Sequence, residues 1–171
     1  MVVSAEVLRS HIGYTEWASG LLVEAAGRLT HDELTRDFGT ADRSVLGTLV
    51  HVFGADRLWL ARLKREAANI FLTDDDYRLT VLQNDWPALY RRWRDWADGL
   101  TDEAARAEVS YKDMRGNPYR QPLGQLLLHV VNHGTHHRGQ VSGFLRAMGH
   151  VPPKLDLVSY YREIPVTPTA G

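Results

Sequence analysis

At residues 129–140 the chain reads His-Val-Val-Asn-His-Gly-Thr-His-His-Arg-Gly-Gln, which places four of its eight histidines within nine residues. The segment around this stretch has apolar residues at helical spacing, opened by Pro122 and closed by Gly149. Residues four apart lie on the same face of a helix, so His133 and His137 can direct their imidazoles to one point. The stretch therefore predicts a helix that contributes two ligands to a metal ion.

The rotation of about 100° per residue in a helix places His133 and His137 on an apolar stripe. The other members of the stripe are Leu126, Val130, Val141, Phe144 and Met148. An unpaired polar group in such a buried position costs about 1–3 kcal/mol, and a bound cation would remove that cost. The alternative is that each imidazole is hydrogen-bonded within the core. Arg138 points away from the stripe, which predicts a salt bridge or a helix contact for it.

Apolar periodicity predicts three more long helices, over residues 5–29, 45–63 and about 86–99. Asp42 or Ser44 is the expected cap of the second helix, and Pro87 is expected in the first turn of the third. An Arg-Gly-Asn-Pro turn signal between Ala107 and Gln121 predicts a small hairpin or irregular loop before the last helix. The fold expected is all-α, a four-helix bundle with long interhelical connections in a single domain over residues 1–171.

Composition narrows the function classes. The 171 residues are 44% hydrophobic, which suits one well-buried core, and the net charge of -1 gives no basic field for nucleic acid. The chain contains no cysteine, so any metal must bind to histidine or carboxylate. The N-terminus lacks a signal-peptide pattern and no apolar run is long enough to span a membrane. We therefore expect a cytoplasmic protein with neither nucleic-acid nor membrane partners.

Further candidates for the site are His51 on the second helix and Gln140 and His129 on the last. Small residues lie one turn before and after His51, namely Gly47 or Thr48 and Ala55, which leaves room for a ligand. His51 could equally form a hydrogen bond at a seam between helices, since spacing alone does not join it to His133. Gln140 could orient an imidazole from a second shell or simply pack, and His129 could line the mouth of the site, orient a ligand or pack.

Several blocks of the sequence resemble the DinB family, also described as DinB/YfiT-like metal-binding proteins. The blocks are residues 14–22, Thr48-Leu-Val-His51 with Trp59-Leu60, Arg115-Gly-Asn-Pro-Tyr119, the 127–140 stretch, and Leu145 to Gly149 followed by Pro152, Pro153 and Asp156. The resemblance implies a four-helix bundle in which His51, His133 and His137 bind one divalent transition metal. It favours zinc or nickel, whereas imidazole ligands alone also allow iron or copper.

Three histidines without a fourth protein ligand form an open site of the kind that catalytic metals use for water or substrate. Gly134 stands where a metalloprotease helix would have glutamate, which argues against a peptidase. The expected function is a metal-dependent hydrolase or a transferase that uses a low-molecular-weight thiol, acting on a small molecule, with the catalytic base unassigned. The alternative is a non-catalytic, stress-associated metal-binding protein with a structural or interaction role. The resemblance also implies a homodimer.

Overall fold

The computed structural model describes residues 3–66 and 71–163. Four long helices dominate these residues: α1 Ala5–Ala26, α3 Val45–Lys64, α4 Leu79–Asp98 and α6 Leu123–Ala147. Three short helices lie in the connections and after α6: α2 His31–Thr35, α5 Asp102–Arg106 and α7 Leu157–Glu163. Strands β1 Glu108–Lys112 and β2 Pro118–Pro122 form an antiparallel hairpin. The predictions of a mainly helical protein and of a small hairpin before the last long helix are confirmed.

Local capping explains where the two histidine-bearing helices begin and end. The Ser44 side chain accepts a hydrogen bond from the backbone N–H of Gly47 at 3.0 Å, so Ser44 rather than Asp42 caps α3. Pro122 directly precedes α6. Beyond its end, Gly149 has a φ of +86°, and His150 donates a backbone hydrogen bond to the carbonyl of Leu145. These contacts set where α3 begins and where α6 begins and ends, and so which parts of the two helices can pack together.

The long helices pack around a shared apolar core. Helix α1 contacts α4 and α6, and α3 contacts both α6 and α4. The largest fully buried aliphatic side chains come from all four helices: Leu8, Leu22, Leu49, Leu60, Leu82, Leu127 and Leu145. Burial of these side chains supplies most of the driving force for the arrangement. The direct contact between α3 and α6 brings the two histidine-bearing helices side by side.

A buried polar cluster lies inside this core. The Asp56 carboxylate on α3 accepts hydrogen bonds from the Tyr90 hydroxyl at 2.7 Å and the Trp86 indole at 3.0 Å, both on α4. Burial raises the pKa of Asp56 to about 6. Arg138 on α6 is 1% exposed and donates to the Ser19 hydroxyl on α1 at 3.3 Å. The cluster therefore joins side chains of all four long helices in the interior.

One expectation about an individual position is wrong. Helix α4 begins at Leu79 rather than near residue 86, so Pro87 lies inside the helix instead of in its first turn. The earlier start buries Leu82 completely, one turn before Trp86. Arg138 makes the helix contact that was one of its two predicted alternatives, because α6 also buries a second face against α1. Among residues 3–66 and 71–163, no helix combines the length and apolar character needed to cross a membrane.

Candidate metal centre

The packing of α3 on α6 brings His51 against His133 and His137. Each of the three histidines offers one ring nitrogen, and these atoms lie within 4.8 Å of one another. The ring centroid of His51 lies 4.9 Å from that of His133 and 4.4 Å from that of His137. The two histidines of α6 are one helical turn apart, with ring centroids separated by 4.5 Å. The helical spacing and the interhelical contact thus produce one convergent group.

The hydrogen-bond partners indicate which ring nitrogens face the centre of the group. The Nε2 atoms of His51 and His133 are 3.0 Å apart. The Gln140 Oε1 atom lies 2.8 Å from His137 Nδ1, and a carbonyl oxygen can only accept. His137 Nδ1 therefore carries the proton, and its Nε2 has a free lone pair. Gln140 therefore accepts a hydrogen bond from a candidate ligand and fixes its tautomer, which is how a neighbouring side chain orients a ligating imidazole.

Asp42 is a site residue that sequence reasoning missed. One of its carboxylate oxygens lies 3.5 Å from His51 Nδ1, and the other lies 3.6 Å from His137 Nδ1. A single carboxylate therefore lies beside the outer nitrogens, the Nδ1 atoms, of two histidines on different helices. This placement favours a proton on each Nδ1 and directs both Nε2 lone pairs inward. The only sequence signal for Asp42 was its place before α3, where it was a candidate cap.

The loop before α3 holds Asp42 in this position. The backbone N–H of Ser44 donates to the Asp42 carbonyl at 2.7 Å, which forms a tight turn. A Cβ atom at position 47 would overlap the same carbonyl oxygen, so only glycine lets the loop approach the helix this closely. The small size of Gly47, which suggested room for a ligand, serves instead to bring Asp42 to the histidines.

The electrostatics of the site favour the neutral forms of His51 and His133. Burial, reinforced by the nearby His137, lowers the pKa of His133 to about 4. Burial also lowers the pKa of His51, against the opposing effect of the Asp42 carboxylate. Neutral imidazoles have the free lone pair that a metal ligand needs. The His51 side chain is 39% exposed and that of His137 is 13% exposed, so the group is reached from the His51 side.

The other histidines of α6 lie outside the convergent group. His129 is exposed, and its ring packs edge-on against Trp59 at 5.5 Å and lies 5.9 Å from the His133 ring. Its contact is therefore with a tryptophan at the margin of the site, not with a ring nitrogen of the group. His136 is also exposed and packs against the outer side of His137.

Comparison with known proteins identifies the family of the chain. The family model described as DinB family matches residues 1–166. The chain belongs to the DinB family. The crystal structure of a DinB-like protein from Bacillus cereus resembles this family member with a TM-score of 0.67 and 18% sequence identity, over 90% of this chain and 99% of that one. A search of the curated proteins finds no match.

The residues of this DinB family member fit a divalent transition metal. A metal–imidazole bond of about 2.0–2.1 Å allows two ligating nitrogens to approach to about 3 Å, which is the separation of the His51 and His133 Nε2 atoms. Without an ion, these two Nε2 atoms must share one proton between them or repel each other. Within the described residues no carboxylate joins the three histidines as a fourth ligand. A bound ion would therefore keep positions open to a small molecule.

Proposed function

We propose that this DinB family member binds one divalent transition metal through His51, His133 and His137, within a four-helix bundle. The observation that carries the proposal is the convergence of three ring nitrogens from two helices within 4.8 Å. Gln140 supports it because it accepts from His137 Nδ1, and Asp42 supports it because its carboxylate lies beside the Nδ1 atoms of His51 and His137, which favours inward-facing Nε2 lone pairs. Zinc and nickel are the metals that the family resemblance favours.

We infer further that the metal serves catalysis, in a hydrolase or a transferase that uses a low-molecular-weight thiol. A divalent ion with open positions acts as a Lewis acid, which lowers the pKa of a water molecule or thiol that reaches it. Among the chain's own groups, Asp42 would orient His51 and His137 and balance part of the ion's positive charge. The partial exposure of His51 gives a small molecule access from that side.

The first experiment measures metal binding by titrating metal-free protein with Co²⁺, whose visible spectrum reports its ligands, followed by competition with Zn²⁺ and Ni²⁺. We expect one ion per chain in the wild type and loss of the spectrum in His133→Ala and His51→Ala. His136→Ala is the matched control, since His136 is an exposed histidine on the same helix outside the group. Equal binding by His133→Ala and the wild type would contradict the assigned ligands.

The second experiment separates an enzyme from a structural metal protein. Metal-loaded protein is screened with small esters, with amides, and with electrophiles plus a low-molecular-weight thiol. Turnover that needs the metal and disappears in His133→Ala, but not in His136→Ala, would support the enzyme. The ion would also join α3 to α6, so the competing function is a non-catalytic metal-binding protein. A silent screen with a metal-dependent melting temperature would favour that alternative.

Homodimerisation and a cytoplasmic location remain predictions from the sequence. Sizing chromatography of the metal-loaded protein at micromolar concentration tests the first, and a monomer would contradict it.

A further inference from the structure

A cavity of about 340 Å³ adjoins the candidate metal centre on the outer side of α3. His51 forms one end of it, and Gly54, Ala55 and Leu58 continue its lining along the helix. Phe71 and Leu72 approach from the segment after α3, and Met114 approaches from the hairpin turn. This size is within the range of about 300–1,000 Å³ that is typical of small-molecule sites.

Short side chains on α3 create the space. Ala55 lies one turn after His51 on the same face, so the surface beside the imidazole is covered only by a methyl group. A Cβ atom at Gly54 would lie 2.8 Å from Leu72 Cγ, so the glycine lets Leu72 pack directly on the helix backbone. The helix therefore forms a shallow floor, and Leu72 forms a wall next to it.

Polar contacts fix the wall formed by the segment after α3. Arg57 donates a hydrogen bond to the Phe71 carbonyl at 3.0 Å and pairs with the Asp76 carboxylate, also at 3.0 Å. The Arg57 charge is therefore neutralised outside the cavity, while its guanidinium holds the backbone of Phe71. On the opposite side, Met114 Sδ lies 3.9 Å from the Arg62 guanidinium, which in turn stacks over Trp59.

The mouth of the cavity is unusually apolar for a protein surface. Phe71 is 60% exposed and Met114 is 65% exposed, although both are large apolar side chains. Apart from His51 at one end, no acidic or basic side chain lines the cavity within the described residues. Exposed apolar side chains grouped beside a polar centre are typical of a ligand site, since a ligand that covers them removes apolar surface from water.

We propose that this cavity binds the uncharged apolar group of the substrate while the substrate's polar end reaches the three histidines. The substrate class is a small molecule with a metal-binding head and a short alkyl, acyl or aryl group attached to it. The proposal rests on the proposed function for the polar end, whereas the apolar site itself depends only on the lining residues. Ala55, Phe71 and Met114 are the positions that determine which group fits.

The first test uses protein loaded with Co²⁺. The probes are alkyl hydroxamates of increasing chain length, from acetohydroxamate to hexanohydroxamate. Each added methylene that enters the cavity should tighten binding by about two- to fourfold, read from the visible spectrum of the bound Co²⁺. A flat series in protein that binds both Co²⁺ and acetohydroxamate would overturn the proposal while leaving the metal site intact.

Two variants locate the effect. Ala55→Phe fills the cavity and should abolish the gain with chain length, and Phe71→Ser, at an exposed position, should reduce it without a folding cost. Ala147→Phe is the control, because Ala147 is exposed on α6 and does not line the cavity. An unchanged chain-length series in both cavity variants would count against the assignment.

A measurement on metal-free protein separates the cavity from the metal site. The chain has three methionines, and methyl-labelled methionine gives Met114 and Met148 separate NMR signals. Titration with 1-hexanol should shift the Met114 methyl in the wild type but not in Ala55→Phe, with half-buried Met148 as the internal reference. If 1-hexanol shifts Met114 in this way but the protein does not bind Co²⁺, the metal site is refuted and the apolar site is supported. Equal responses at Met114 and Met148 would refute the cavity site.

Discussion

At the scale of single residues, Asp42 is the group whose removal should affect metal binding most without removing a ligand. Its two oxygens lie 3.5 Å and 3.6 Å from the outer nitrogens of His51 and His137. Asp42→Asn keeps the shape but loses the negative charge, and loss of such an orienting partner typically costs about 10–100-fold in metal affinity. Competition titration with Zn²⁺ measures the change. Asp32→Asn, an exposed neighbour on α2, should bind as the wild type does; equal affinities for both variants would contradict the role of Asp42.

A second prediction concerns Asp56 and the way the stability of the fold depends on pH. Burial raises its pKa from 3.8 in the unfolded chain to about 6 in the folded protein. Between these pH values the folded protein therefore holds a proton on Asp56 that the unfolded chain has lost. The contribution of Asp56 to stability therefore falls as pH rises from about 4 to about 6, by roughly 3 kcal/mol at 1.36 kcal/mol per pKa unit.

Asp56→Asn removes this titration and keeps an oxygen that accepts from Tyr90 and Trp86. Urea denaturation at a series of pH values should show the wild type losing stability relative to Asp56→Asn across this interval. Asp85→Asn, at an exposed position on α4, should leave the wild-type profile unchanged. Parallel profiles for the wild type and Asp56→Asn would show that the carboxyl does not titrate there.

At the scale of elements, the two histidines of α6 could be predicted from the sequence because their geometry is internal to one helix. The four-residue spacing and the apolar stripe already fix the direction of His133 and His137. His51 belongs to another helix, so only the family resemblance joined it to them. Asp42 could not be found, since its position depends on a loop conformation and on the packing of α3 against α6.

The start of α4 could not be predicted from the sequence for a different reason. The sequence between residues 69 and 83 looks polar, and Pro87 is a strong signal for a first turn. The structure extends the helix back to Leu79 because Leu82 reaches the common core and is fully buried there. Burial of that one side chain, which depends on tertiary packing, outweighs the local preference.

Gly47 provides the element-scale prediction, because it links the start of α3 to the preceding loop. In Gly47→Ala the new methyl group overlaps the Asp42 carbonyl oxygen, so the loop must move away from the helix. Forced shifts of this kind typically cost about 1–3 kcal/mol, and here they also displace the Asp42 carboxylate. Urea denaturation and Zn²⁺ competition should both show a loss.

Gly143→Ala is the matched control, since an added Cβ at this exposed position on α6 meets nothing within 4 Å. Alanine is the better helix former, so this variant should be more stable than the wild type by up to about 1 kcal/mol. If Gly47→Ala were also stabilising, the close approach between the loop and α3 would be wrong.

At the scale of the whole molecule, the candidate metal centre couples two helices that are far apart in sequence. His51 on α3 and His133 on α6 are 82 residues apart in sequence, so an ion between them closes a long loop in the folded chain only. A ligand that binds the folded state alone stabilises it by about 2.7 kcal/mol at one hundred times its Kd. For a chain of this size, that free energy corresponds to a rise in Tm of roughly 5–10 °C.

Calorimetry with and without Zn²⁺ therefore tests whether the three histidines act as one unit. We expect the wild type and His136→Ala to show the full rise, because His136 lies outside the convergent group. His133→Ala should lose most of it, since the remaining imidazoles of His51 and His137 provide only two ligands across the interface. A rise of the same size in His133→Ala would place the bound ion elsewhere. No rise in the wild type at saturating Zn²⁺ would mean that α3 and α6 are held together by apolar packing alone.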